Sequence, residues 1–440
     1  MSRAGALALP GDRRQAGLRW RMVAVSWVGL ACCQSPIAFL TLGVFMKPLG
    51  HAFGWGRGPV SLALSAGAIT LAVITPLVGS LIDRVGARKV MIPSMIGFGL
   101  LMASLFFLTD SLLHFYAIYL LLGIVGAGAN NVAFMRVISA WFNRRRGLAL
   151  GIASTGVTLG SAGAAYFAQR LIDAYGWRAA YLGLGAFVLL IGVPVVALFI
   201  RERPSDLGLE PEEAASENLV TISAGVELGQ TIGEALRRPI VWAMIFLGFL
   251  IAVSLHGVQI HLVPLLTDRG IRPDVAAGLF TLIAGLTSTV GRMGVGGLFD
   301  RFFAPRVAMC AFLLPAIGLA FVLVSKAQWP CYVMVALMGL GSGSESDVLG
   351  YLSSRYFGLK AFGQLYGLVF GGFMVGTAIG PWAYGVLYDR THSYRIAFAI
   401  SIALILVMCG LLASLPKFPD LTEGESEAGR EGALAAPAFD

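Results

Sequence analysis

The feature that most constrains this chain is a succession of long apolar runs. They lie near 21–46, 59–81, 88–108, 112–140, 147–169 and 179–200, then near 239–266, 275–299, 306–325, 329–353, 362–388 and 396–415. A helix needs roughly 20 apolar residues to cross a bilayer, and each run comes close to or exceeds that. Lipid offers no hydrogen bonds, so backbone groups in such runs must be satisfied within a helix. Charged residues make up 13% of the 440 residues, against about 25% in a soluble chain. The pattern predicts an all-α membrane protein with 12 transmembrane helices.

The runs fall into two sets of six. This predicts a cytoplasmic N-terminus over 1–20, an N-terminal six-helix bundle over 21–200, a linker over 201–238, a C-terminal six-helix bundle over 239–415 and a disordered tail over 416–440. The linker holds Pro204, Pro211 and the acids Glu210, Glu212 and Glu213; the tail is rich in Glu, Gly and Ala. Arg13, Arg14, Arg19 and Arg21 precede the first run, as they would in a signal peptide. A signal peptide's apolar region is only about 7–15 residues long, so the run to Phe45 reads as a retained first helix.

The net charge of +8 does not point to nucleic acid, because no basic stripe with interleaved aromatics is present. Instead the basic residues sit in short turns. Arg84, Arg88, Lys89, Arg144, Arg145, Arg146, Arg201, Arg203, Arg237 and Arg238 all fall on one side of the twelve-span arrangement. Lys and Arg are retained on the cytoplasmic side, which orients the chain N-in and C-in. Cys32, Cys33, Cys310, Cys331 and Cys409 lie in or beside apolar runs without metal-like spacing and read as small core residues. No phosphate-cradling loop, metal cluster or catalytic arrangement of side chains is evident, so neither an enzyme nor an ATP-driven pump finds support. No cofactor is expected.

An internal repeat organises the two halves. Gly79, Asp83 and Arg84 recur as Gly296, Asp300 and Arg301 at an offset of 217. Gly147, Gly151, Gly156 and Gly160 recur as Gly363, Gly367, Gly372 and Gly376 at an offset of 216. Parallel repeats of six spans build one large group of secondary transporters.

At this point the chain resembles the major facilitator superfamily. Gly79-x-Leu81-x-Asp83-Arg84-x-Gly86-x-Arg88-Lys89 is similar to the loop between that family's second and third helices. The second copy is worn, with Pro305 where an arginine would mirror Arg88. Trp141 to Gly151 and Arg355-Tyr356-Phe357-Gly358 resemble the monocarboxylate and oxalate/formate transporter-like branch. The resemblance implies that Arg292, after Gly291 in the eighth span, is the arginine that holds a substrate anion. Ser288 and Leu40 stand where that branch tends to carry an acid and a lysine.

Ionisable groups within spans are costly and mark functional candidates. Arg292 offers a planar fork suited to a carboxylate. Glu345 and Asp347 lie two residues apart, about 200° around a helix. Both face one cavity only if the helix breaks, and Gly339, Gly341 and Gly343 favour a break. One of the two acids is expected to pair with Arg292 or carry a proton. His256, Gln259 and His261 in the seventh span and Asn130 in the fourth are candidates for substrate contact or proton handling. Arg136, nearer the cytoplasmic end, is read as a gate partner for an acid.

The charged loop reads as a latch built from Gly79, Asp83, Arg84, Gly86, Arg88 and Lys89, with Asp300 and Arg301 as its second copy. Asp83 is placed to meet the N-terminus of a helix in the other half, and Arg84, Arg88 and Lys89 to bridge to acids or lipid phosphates. The wear in the second copy predicts a latch that depends mainly on Asp83 and its basic partners. The function expected is a secondary active transporter of a small organic anion. It would act by alternating access as a monomer in the plasma membrane (a bacterial inner membrane), by proton symport or anion exchange. The competing reading is an exporter of hydrophobic or cationic compounds.

Overall fold

The computed structural model describes residues 10–143, 145–209, 230–272, 275 and 285–419. Among these residues the chain is helical, with no β-strand. The helices of the first half are α1 (Pro10–Ala31), α2 (Leu42–Phe53), α3 (Arg57–Val85), α4 (Ala87–Ser104), α5 (Leu112–Gly126), α6 (Asn131–Trp141), α7 (Arg146–Phe187) and α8 (Val193–Phe199). Those of the second are α9 (Ile232–Leu236), α10 (Pro239–Ile260), α11 (Leu262–Asp268), α12 (Gly285–Phe299), α13 (Ala304–Val324), α14 (Trp329–Ser342), α15 (Glu345–Phe357), α16 (Phe362–Thr391) and α17 (Arg395–Ser414).

Nine helical segments among the described residues are long and apolar enough to cross a membrane. One of them, Arg146–Phe199, has 54 residues and would reach about 80 Å as a single helix, well over twice a bilayer core. Gly176 divides it by adopting φ +84°, a conformation that side-chain-bearing residues rarely take. Two expected spans are missing from the nine for identifiable reasons. The start of the eighth, from 276 to 284, lies outside the described residues. The tenth carries Glu345 and Asp347 and is interrupted between α14 and α15.

Large apolar side chains point outward from the bundle. Val324 is 88% exposed, Leu113 76% and Leu190 74%. Hydrophobic exposure on this scale fits a surface bathed in lipid rather than water. Cys310 is among the outward-facing residues, which corrects the expectation that all five cysteines are core residues. It lies on the exposed side of α13.

The described residues nearest the two ends are placed by helix and packing contacts. The first helix extends back to Pro10. At the other end, the Tyr356 hydroxyl donates to the Pro416 carbonyl at 2.6 Å. The ring of Phe418 packs on Phe303 and Tyr356. The rest of the predicted tail, 420–440, and the linker residues 210–229 lie outside the described residues.

Candidate functional site

Two junctions between the halves lie at one end of the molecule, and the repeat generates both. In the first, Asp83 at the end of α3 accepts from the backbone N–H groups of Gly363 and Gln364, both at 2.9 Å. In the second, Asp300 just after α12 accepts from Gly147 at 2.8 Å and Leu148 at 3.0 Å. Each carboxylate therefore caps the first turn of a helix in the opposite half, where orphan N–H groups and the helix dipole favour negative charge. Burial pushes the Asp300 carboxyl above its ordinary range, while the two N–H bonds and the nearby Arg355 and Arg146 pull it back.

Glycines allow this approach. A Cβ on Gly79 would fall against the Gly363 carbonyl, and one on Gly147 against the Gly296 carbonyl. Gly147→Val is therefore expected to wedge this end apart at a cost of about 1–3 kcal/mol. Spin labels at Val85 and Lys360, one in each half, should report the separation; an unchanged distance would contradict the close-approach role.

The second junction matches the first in its acid and its glycine. Against the expected reliance on Asp83 and its basic partners, Asp300 makes the same pair of backbone bonds as Asp83, and among the described residues the loop's basic side chains make no cross-half bond. Arg84, Lys89 and Arg301 are exposed, and Arg88 Nη2 donates at 2.7 Å to Ala197 O within its own half. Other cations cross instead. Arg146 Nη1 donates to Ser354 Oγ at 3.0 Å. Arg355 donates to the Asn143 side chain at 3.2 Å and to its carbonyl at 3.1 Å.

Arg136 has the acid partner expected of it. Its Nε lies 3.3 Å from Asp83 Oδ1, and Nη1 bonds Glu202. Sequence reasoning did not single out Glu202, although an acid directly after Arg201 at the end of the sixth span was a usable signal. Gly86, at φ +97°, turns the chain after α3, and a Cβ there would collide with the Glu202 carboxylate.

Deeper in the bundle, the helix break occurs at Gly343 and Ser344. It places Glu345 and Asp347 in the first turn of α15, where unpaired N–H groups favour acids. The two side chains take different partners. Asp347 Oδ2 lies 3.5 Å from Arg292 Nη1 on α12, and the side chains are 2% and 13% exposed respectively. Glu345 Oε2 lies 2.9 Å from His256 Nε2 on α10. The His256 ring meets Phe373 edge-on, with centroids 5.3 Å apart. The Arg292 contact is at the outer limit of a hydrogen bond. Arg292 Nε and Glu345 Oε1 are buried without acceptor or donor.

The fourth span breaks in a related way. Asn130 caps α6 by accepting from the Asn131 N–H at 2.8 Å, which leaves its Nδ2 buried without an acceptor. The N-caps Asn130 and Ser344 are 214 residues apart, close to the repeat offset. Discontinuous helices of this kind build ion and substrate sites in transporters.

The remaining candidates do not join this cluster. His261 Nε2 is 3.1 Å from the Pro381 carbonyl and Nδ1 is 3.3 Å from the Tyr394 hydroxyl, so both ring nitrogens are engaged within the second half. Gln259 is half-buried, one turn beyond His256 on α10.

Comparison with known proteins follows the same lines. A family model described as Major Facilitator Superfamily matches residues 28–346 and 303–438. Monocarboxylate transporter 13 of Rattus norvegicus is 30% identical over 395 residues, covering 88% of this chain and 87% of that protein. The uncharacterized MFS-type transporter YcxA of Bacillus subtilis (strain 168) is 26% identical over 402 residues, covering 87% and 91%. The crystal structure of the human organic anion transporter MFSD10 (TETRAN) superposes with a TM-score of 0.69 at 17% identity, covering 90% of this chain and 99% of that one.

Proposed function

This chain belongs to the Major Facilitator Superfamily of membrane transporters, and on that footing we propose that it carries a small organic anion coupled to a proton. The observation that carries the reading is Arg292: a guanidinium 13% exposed, held by one long contact to Asp347, with a buried Nε that has no acceptor. A carboxylate is the partner such a fork binds best, through two parallel charge-assisted bonds. Monocarboxylate transporters among its relatives support the same class.

In this mechanism the substrate carboxylate takes the Arg292 donors and displaces Asp347. A buried carboxylate without a partner is expensive, so Asp347 takes up a proton as the anion binds. Carboxylate and proton then cross together, without net charge. Glu345, two residues before Asp347, and His256 form a second pair and relay that proton. Two six-helix bundles, twelve spans in all with both termini cytoplasmic, rock about this site as a monomer in a plasma membrane, the inner membrane of a bacterium. The paired junctions of Asp83 and Asp300 hold the cytoplasmic side shut until the bundles tilt. Export of cations is less well supported, because both buried acids already face bases.

Two measurements test this reading. Bound ligand raises stability by about 2.7 kcal/mol at a hundredfold excess over Kd. Short carboxylates are therefore expected to raise the melting temperature of purified protein, and organic cations to leave it unchanged; the reverse pattern refutes the anion assignment. Glu345→Gln is expected to flatten the pH dependence of uptake while leaving carboxylate binding intact. An unaltered pH profile removes Glu345 from the proton route.

A further inference from the structure

A groove of about 450 Å³ lies apart from the central ion pairs, between the start of α1, the end of α8 and the linker. Its apolar wall includes Leu18, Leu198, Phe199 and Leu207, and its cationic wall is Arg21 and Arg201. Leu198 is 63% exposed, so the apolar wall opens outward.

The arginines are fixed in place. The Arg21 guanidinium sits 4.5 Å above the Phe199 ring, an arrangement that uses the face of the fork and leaves its edge. Arg201 Nη1 donates to the carbonyls of Ile200 at 2.9 Å and Leu198 at 3.2 Å. Arg88 joins them from the charged loop through its bond to Ala197 O. Three guanidinium groups thus gather on the negative, C-terminal end of α8. Capping those carbonyls explains part of the cluster, but a guanidinium has five donors, and the carbonyl bonds named use few of them. Among the described residues, the nearby acids are engaged elsewhere. Glu202 is committed to Arg136, and Asp206 accepts from the backbone N–H groups of Glu202 and Arg203, both at 3.0 Å.

We propose that this groove binds a phospholipid with an anionic headgroup, its phosphate between Arg21 and Arg201 and an acyl chain along Leu18, Leu198 and Phe199. Arginine matches phosphate through paired N–H donors. Basic clusters where a transmembrane helix meets the surface attract anionic lipid. A free phosphate would satisfy the arginines but leave the apolar wall uncovered, so a lipid fits both walls. The site is separate from Arg292, and its test is independent of the transport reading.

Full-length protein in phosphatidylcholine nanodiscs, titrated with phosphatidylglycerol and read by native mass spectrometry, tests this directly. The wild type is expected to retain one phosphatidylglycerol in preference to phosphatidylcholine. Arg21→Gln/Arg201→Gln is expected to lower that retention about tenfold or more, with an unchanged melting temperature in pure phosphatidylcholine. Arg21→Gln alone keeps the Arg201 carbonyl bonds and lowers retention to an intermediate level, which serves if the double variant fails to fold. Equal retention by the wild type and either variant overturns the proposal. So does displacement of the lipid by millimolar inorganic phosphate, which would mark a free-anion site.

Discussion

Arg292→Gln is expected to lower affinity for the transported carboxylate about 10- to 150-fold, the worth of a hydrogen bond to a charged group. The substitution has a second effect. It strands Asp347, which is 2% exposed, as a buried charge without its cation. Breaking a buried pair from one side costs about 3–5 kcal/mol, so the variant should also melt earlier. Arg292→Gln/Asp347→Asn separates the two effects: removing both charges is expected to restore stability, but not carboxylate binding. Melting curves with and without ligand measure both quantities. Carboxylate binding retained by the double variant would show that Arg292 is only a structural partner of Asp347.

The second large effect concerns the paired junctions. Asp83→Asn/Asp300→Asn removes both carboxylates from helix N-termini in the opposite half. A charge at such a site is worth up to about 2 kcal/mol when partly buried. Losing two is expected to shift the closed-to-open ratio at this end by on the order of 30- to 1000-fold. Distance distributions between spin labels at Val85 and Lys360 should move to longer values. Each single variant should shift the ratio in the same direction, because each acid makes the same pair of backbone bonds across the halves. A shift from Asp83→Asn with none from Asp300→Asn would restore the asymmetric latch that the worn second copy suggested.

The junctions show how far the sequence could be read. The offsets of 217 and 216 pair Asp83 with Asp300 and Gly147 with Gly363. Those same residues meet across the halves, each acid above a glycine. What misled was weight: the loop is conspicuous for its arginines, yet the cross-half bonds come from a carboxylate and a backbone approach, neither of which needs Arg88. The true cross-half cations, Arg146 and Arg355, stood in stretches already noted for their resemblance, but a cation's partner depends on tertiary placement.

The central cluster was legible in its members and in part of its pairing: an acid was expected on Arg292, but not which of the two. Arg292, Glu345, Asp347 and His256 were marked by the cost of charge within apolar runs. The break at Gly343 and Ser344 falls before both acids, so they share the first turn of α15 about 200° apart, and that spacing presents one to α12 and the other to α10. His261 carried the same sequence signal as His256, five residues earlier, yet the end of α10 turns it onto the Pro381 carbonyl and Tyr394. Glu202 was missed because it follows the last apolar residue of its span, where an acid usually signals only solvent.

Concentrative uptake tests the central claim most directly: that Arg292 holds an organic anion while Asp347 exchanges a proton. Protein reconstituted in proteoliposomes is given a radiolabelled short-chain carboxylate and an imposed proton gradient, acidic on the side of substrate addition. The account predicts that the wild type accumulates the carboxylate above its external concentration and loses it when the gradient is collapsed. It also predicts that Asp347→Asn only equilibrates the carboxylate. Accumulation by Asp347→Asn equal to that of the wild type, or wild-type uptake indifferent to the gradient, would contradict it.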